Sequence, residues 1–96
     1  MLEAPDIRLK KIYDPPERAD GARVLVDRLW PRGARKAEAK LTLWLKDVAP
    51  SAELRRWFGH DPLRFAEFSR RYRAELTANK DAVSRIDDLI KAGPVT

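Results

Sequence analysis

The chain has 96 residues, 44% hydrophobic and 36% charged, and its 20 basic and 15 acidic side chains leave a net charge of +5. A chain of this length supports one domain around one core, and it contains three Trp, three Phe and two Tyr to anchor the packing. With no cysteine and one histidine, disulfides, thiolate metal sites, a cysteine nucleophile and a multi-histidine metal site are excluded.

Basic residues are spread over both halves of the sequence. That distribution describes a solvated surface attractive to anions rather than a dedicated nucleic-acid face. No stretch approaches the roughly 20 apolar residues that span a bilayer. Glu3 and Asp6 stand near the start with no apolar run, unlike a secretory signal. A cytoplasmic, bacterial-style protein with no membrane partner is the expectation.

In chain order, Ile7 to Tyr13 alternates as a strand, with Ile7, Leu9 and Lys11 on one face. Asp14-Pro15-Pro16 ends it, because proline cannot donate to a ladder. Asp20-Gly21 is a turn dipeptide. Arg23 to Leu29 is the strongest strand, its Val-Leu-Val centre apolar on both faces as in a covered parallel strand. Trp30-Pro31 stops it. Leu41, Leu43 and Leu45 alternate with Thr42, Trp44 and Lys46, which reads as a third strand, with a short helix competing.

Beyond Pro50 the period becomes helical. Ser51 is a natural N-cap with Glu53 in the first turn, Leu54, Trp57 and Phe58 share a face, and Gly59 closes the helix. Asp61-Pro62 restarts it, Asp as the cap and Pro at the first helical position. Phe65, Phe68, Tyr72 and Leu76 form a stripe directed at the core. Asn79 can cap a last helix carrying Val83, Ile86, Leu89 and Ile90, which Gly93-Pro94 stops. Val95-Thr96 then stands where another strand would begin.

The expected fold class is α/β: a small, mainly parallel sheet with helices packed on it, strands in the N-terminal half and helices in the C-terminal half. Several blocks carry a family resemblance. They are Ile12-Tyr13-Asp14, Arg23 through Gly33, Trp44-Leu45-Lys46, Ala49-Pro50-Ser51, Trp57 through Pro62, and Arg71 through Leu76. In this order they resemble the YeaO-like branch of the DUF488 family, small bacterial proteins of undetermined function. The resemblance covers essentially the whole chain as a single domain over residues 1–96. It implies a mainly parallel α/β fold, and also a further hydrophobic strand and a following segment that these 96 residues do not include, so that the domain reads as truncated at its C-terminal end. It supplies neither an activity nor a cofactor.

The candidate site is the turn from Asp27 to Gly33. Asp27 and Arg28 lie at the carboxyl end of the strongest strand, where open α/β sheets bind ligands. Arg28, Arg32, Arg35 and Lys36 place four cations within nine residues with no acid among them. A guanidinium fork suits phosphate or carboxylate, and Gly33 permits close backbone approach. The candidate ligand-binding set is Asp27, Arg28, Trp30, Arg32, Gly33 and Ser51. A competing reading makes Arg28 a structural lock on the turn and Trp30-Pro31 a packing plug. His60 is the one imidazole and hence the candidate for proton transfer, although in a Gly-His-Asp-Pro connector a histidine often serves only the backbone. Ser51 could join a helix N-terminus in holding phosphate, with plain capping as its alternative.

Three functions follow as expectations: binding of an anionic small molecule at the turn, a nucleic-acid module using the basic surface, or a structural protein whose arginines only lock the fold. Arg64, Arg70, Arg71 and Arg73 on the long helix, with Glu67 and Glu75 at ion-pair spacing, read as a solvated face.

Overall fold

A computed structural model describes residues 6–96. Its sheet is small and wholly parallel. Strand β1, Val24–Leu25, pairs with β2, Leu43–Trp44, with Val24 opposite Leu43 and Leu25 opposite Trp44. On the other edge of β1 the chain's last residues enter the sheet. Val95 bridges both Ile7 and Ala22 in parallel. The N–H of Val95 donates to the Asp6 carbonyl (3.0 Å) and that of Arg8 to Val95 (2.8 Å); Thr96 donates to Ala22 (2.9 Å) and Val24 to Thr96 (2.8 Å). The lateral order is therefore the Ile7 segment, Val95–Thr96, β1, β2. Where a strand was expected to begin, Val95 makes two isolated bridges rather than a full strand, and β1 lies between Val95–Thr96 and β2.

The helical half follows its stop signals. Helix α1, Lys36–Ala39, joins β1 to β2. Helix α2, Ala52–Phe58, is capped by Ser51, whose Oγ accepts from the Leu54 N–H at 3.1 Å, and ends on left-handed Gly59. Asp61 caps the 3-10 turn Pro62–Arg64, which leads into α3, Phe65–Ala78, and then α4, Lys80–Ala92. Asn79 occupies the junction but makes no side-chain cap; its amide donates instead to the Asp47 carbonyl at 2.6 Å.

The core lies between the sheet and α4. Leu45, Val48 and Ala82 are buried together, with Val24, Leu43, Leu76 and Ile86 packed on them. Four expectations need correction here. The strand at Ile7–Tyr13 reduces to a single bridge at Ile7, and its apolar face is open, Leu9 being 99% exposed. The strand at Arg23–Leu29 shortens to two residues, with Leu29 74% exposed. Only part of the α3 stripe reaches the core: Leu76 does, whereas Phe65 is 58% exposed and Phe68 stacks on Phe58 of α2 at 4.4 Å. The third strand is likewise shorter than read, and a 3-10 turn at Lys46–Val48 follows it.

One buried ionic cluster ties these pieces together. Asp20 and Arg23 are both buried, at 4% and 7% exposure. The Asp20 carboxylate accepts from Arg23 Nη1 (2.6 Å), Lys10 Nζ (3.1 Å) and the Glu17 N–H (2.9 Å). Arg23 Nε donates in turn to the Ala39 carbonyl of α1 at 2.8 Å. The Glu17 amide, then Lys10 and Arg23, hold the Asp20 carboxyl at a pKa of about 2 against an ordinary 3.8, outweighing burial, which acts in the opposite sense.

Next to Asp20, Gly21 has φ +65°, and a Cβ there would stand 2.3 Å from the Pro94 carbonyl oxygen. Gly21→Ala should therefore destabilise the fold by at least about 2 kcal/mol in urea unfolding, combining left-handed strain with loss of the Pro94–Thr96 pairing. Gly33→Ala, at φ +81° with nothing within 4 Å of the new Cβ, should cost only about 1 kcal/mol. Because the folded pKa of Asp20 is lowered, its stabilisation is complete above about pH 4 and is lost as pH falls toward about 2. Glu67, held at about 2 by Arg70 and Arg71 on the surface of α3, titrates in the same window. Acid unfolding of Glu67→Gln should still show a steep fall in stability between those values, and Asp20→Asn should be less stable at neutral pH with a shallower fall.

Candidate functional site

The Asp27–Gly33 turn is held at four points by groups from elsewhere in the chain and within itself. Arg28 donates from Nη2 to the Ala49 carbonyl (3.0 Å) and from Nε to Pro50 (3.2 Å). Trp44 of β2 donates its indole N–H to the Asp27 carbonyl at 2.7 Å. Tyr13 donates its hydroxyl to the Arg32 carbonyl at 2.7 Å. Trp30 donates to the Ala34 carbonyl at 2.7 Å and meets Trp44 edge to face, centroids 5.4 Å apart. Each bond satisfies a backbone carbonyl that a turn leaves without a ladder partner.

Arg28 thus has the geometry of a lock, made through carbonyls rather than through Asp27 or another acid. Nη1 is the part of its fork that makes no hydrogen bond among the described residues. The Asp27 carboxylate and the Arg32 guanidinium are exposed and make no ion pair or hydrogen bond among those residues. Arg35 approaches Glu38 at 3.7 Å, with both side chains mostly in water.

Past the turn the surface folds into a groove of about 380 Å³ between Asp27–Pro31 on one wall and Ala49, Pro50 and Arg55 on the other. Arg55 was not among the residues singled out from sequence. It stands one turn beyond the Ser51 cap of α2, and its guanidinium makes no ion pair with an acid among the described residues. Pro50 and Arg55 also border a second hollow of about 460 Å³, whose other walls include Arg56, Phe58, His60 and Phe68.

His60 lies on that second hollow, exposed, in a left-handed conformation (φ 56°), its ring 6.0 Å from that of Phe58. Ser51 lies behind the groove and is fully engaged. Its N–H and Oγ donate to the two oxygens of Glu75 (2.8 and 2.6 Å), and Oγ accepts from Leu54. The structure therefore brings Asp27, Arg28 and Trp30 to one groove with Arg55, leaves Arg32 and Ser51 outside its lining, puts Gly33 in a separate hollow beside Tyr13 and Arg35, and puts His60 in the neighbouring one.

The arginines of α3 are committed elsewhere. Arg71 and Arg64 lie over the Trp57 ring, 4.2 and 5.4 Å from its centroid, and Glu67 binds Arg70 and Arg71. Among the described residues no group of three or more metal-ligating side chains occurs, and no helix is long and apolar enough to cross a membrane.

Arg28→Met removes two donors and leaves the Ala49 and Pro50 carbonyls unpaired, so thermal or urea unfolding should show a loss of about 2 kcal/mol. Arg55→Met and Arg32→Met should each change stability by less than about 0.5 kcal/mol in the same measurement.

Comparison with known proteins places this geometry in a family. The uncharacterized protein YeaO of Escherichia coli K12 is 43% identical over 91 residues, 95% of this chain and 79% of that protein. The uncharacterized protein Rv3073c of Mycobacterium tuberculosis H37Rv is 49% identical over 76 residues, 79% of this chain and 64% of that protein. No solved structure matches. A family model described as the inactive DUF488-N3 subclade matches residues 6–96. The chain belongs to the DUF488 family, within the part of it that this model describes.

Proposed function

We propose that this chain binds a small anion of the phosphate or carboxylate class in the groove beside the Asp27–Pro31 turn, and that it does so without turning the ligand over. The observation that carries the reading is Arg55, a guanidinium without an ion pair among the described residues, on the wall of a groove just past the carboxyl end of β1. In parallel sheets these ends are where ligands bind, and a guanidinium fork matches an anionic oxygen pair. Arg28 supplies a second donor through Nη1 while its other nitrogens hold the turn. Exposed Arg32, two residues beyond Trp30, adds long-range attraction, and Trp30 with Pro31 forms an apolar wall.

Asp27 on the same groove disfavours a bare polyanion and favours a ligand that also carries a hydrogen-bond donor, such as a hydroxyl or amine. The word inactive in the family description supports binding rather than catalysis. So does Ser51, whose hydroxyl is taken up by Glu75 and the α2 cap. His60 serves the neighbouring hollow, where it can contact the far end of a longer ligand but does not reach the Arg28 lock. The setting we infer is a bacterial cytosol, in keeping with the bacterial relatives.

Calorimetric titration with inorganic phosphate, a phosphorylated sugar and a nucleoside monophosphate tests the reading. At least one should bind, and Arg55→Met should weaken it about tenfold or more, the worth of one charge-assisted hydrogen bond, with unfolding unchanged. Binding by none of the three, or binding indifferent to Arg55→Met, overturns it. A linear salt dependence with DNA or RNA instead, independent of Arg55, identifies the basic surface as a nucleic-acid binder.

A further inference from the structure

The hollow of about 460 Å³ that shares Pro50 and Arg55 with the groove is built where α2 meets α3. Phe58 ends α2, and Phe68 in the first turn of α3 stacks on it, with centroids 4.4 Å apart and planes 28° from parallel. His60 adds a third ring to the lining, 6.0 Å from that of Phe58. The chain brings it there through two successive left-handed residues, Gly59 (φ 54°) and His60 (φ 56°). That backbone is ordinary for glycine and costly for a residue with a side chain. The cost is borne at the residue whose ring borders the hollow.

The polar part of the lining is all of one sign. Arg55 and Arg56 are exposed and make no ion pair among the described residues. Among those residues no acidic side chain lines the hollow. Three rings beside two unneutralised guanidiniums make a selective surface. An aliphatic chain laid against the rings would take water from the guanidiniums and return nothing for it. A planar aromatic ring satisfies both, since its face stacks on side-chain rings and also attracts a guanidinium. The volume falls within the roughly 300–1,000 Å³ of pockets that hold small molecules. Because Arg55 belongs to the walls of both cavities, a ring in the hollow and an anion in the groove come to the same guanidinium.

The geometry points to a ligand whose anionic group is carried on a planar aromatic ring, the anion in the groove and the ring in the hollow against Phe58, Phe68 and His60. This assignment rests on the anion-binding reading of the groove and narrows it to one ligand class, the aryl phosphates and carboxylates, nucleotides included. Arg55 holds the anionic oxygens, Arg56 adds a cation to the face of the ring, and His60 closes the hollow at the end of α2.

Calorimetric titration of the 96-residue protein with two matched pairs tests it: phenyl phosphate against n-hexyl phosphate, and adenosine monophosphate against ribose 5-phosphate, with inorganic phosphate as the reference. In at least one pair the ring-bearing member should bind about tenfold or more tightly, the worth of one stacked ring. A preference in the second pair identifies a nucleotide as the source of the ring, and a preference in the first pair alone identifies a simple aryl anion. His60→Gly removes one ring and the left-handed cost together. Its melting temperature should stay near that of wild type or rise, while the preferred ring-bearing ligand weakens about threefold or more and inorganic phosphate is unaffected. Nuclear Overhauser contacts should join the ligand's ring protons to Phe58, Phe68 or His60. Equal affinity within both pairs overturns the inference and leaves the anion groove standing. So do Overhauser contacts to Trp30 alone, which put the ring on the groove wall, and a His60→Gly protein that binds the ring-bearing ligand as wild type does. Binding of no anion at all overturns both readings.

Discussion

The carboxylate of Asp20 is the joint on which the sheet turns. It draws Lys10 from the first segment, Arg23 from the start of β1 and the Glu17 amide from the intervening turn, and Arg23 extends the same network to α1 through Ala39. The carbonyl of Asp20 receives the Thr96 hydroxyl at 2.9 Å. Three nearby pieces of chain and the distant Thr96 meet at one residue, and α1 joins them through Arg23. Removing one partner of such a cluster leaves the others buried and unpaired, which costs far more than the pair contributes when complete. In a chain with no fully buried large side chain among the described residues, a polar joint of this kind sets which segments are neighbours, while the thin apolar core supplies general cohesion.

The turn at the candidate groove is built on the opposite principle. It contains no buried ion pair. Side-chain donors from Arg28, Trp44, Tyr13 and Trp30 each satisfy one carbonyl, so the backbone conformation is fixed by neutral and singly charged bonds. That division leaves Asp27, Arg32 and Arg55 free of structural duty. A surface with a rigid backbone and uncommitted charges is pre-organised for a ligand, because little has to be ordered when one arrives.

Sequence reading reached the two halves of the fold unequally, for a physical reason. Helices declare their own limits through local chemistry: Ser51, Gly59, Asp61-Pro62 and Gly93-Pro94 all act where they were expected to. Strands depend on a neighbour. Residues 8–13 and 26–29 have strand-like patterns but are assigned to no strand among the described residues, since a local pattern does not supply the neighbour a strand needs. The site was legible as far as the Asp27–Gly33 block and the structural alternative for Arg28. Arg55 was hidden, since nothing local distinguishes it from Arg56. Its place on the groove wall opposite Asp27–Pro31 appears only when the chain is folded. Asp20 was hidden too, read as half of a turn dipeptide, because burial of a carboxylate depends on partners 3 and 10 residues away.

The position of Val95 also bears on how the molecule is made. The Ile7 segment has Val95 as its sheet neighbour, and β1 reaches that segment only through it. During synthesis the opening strand therefore emerges long before the residue that will hold it. Helices α2, α3 and α4 can form from local contacts as they appear, but the N-terminal segment must wait, unpaired and carrying an exposed Ile7 and Leu9, until Val95 has been made. Such non-local closure is slow and leaves apolar surface open to other chains in the meantime. The order of events at the ribosome is thus written into the two-sided pairing of Val95, almost ninety residues after the segment it holds.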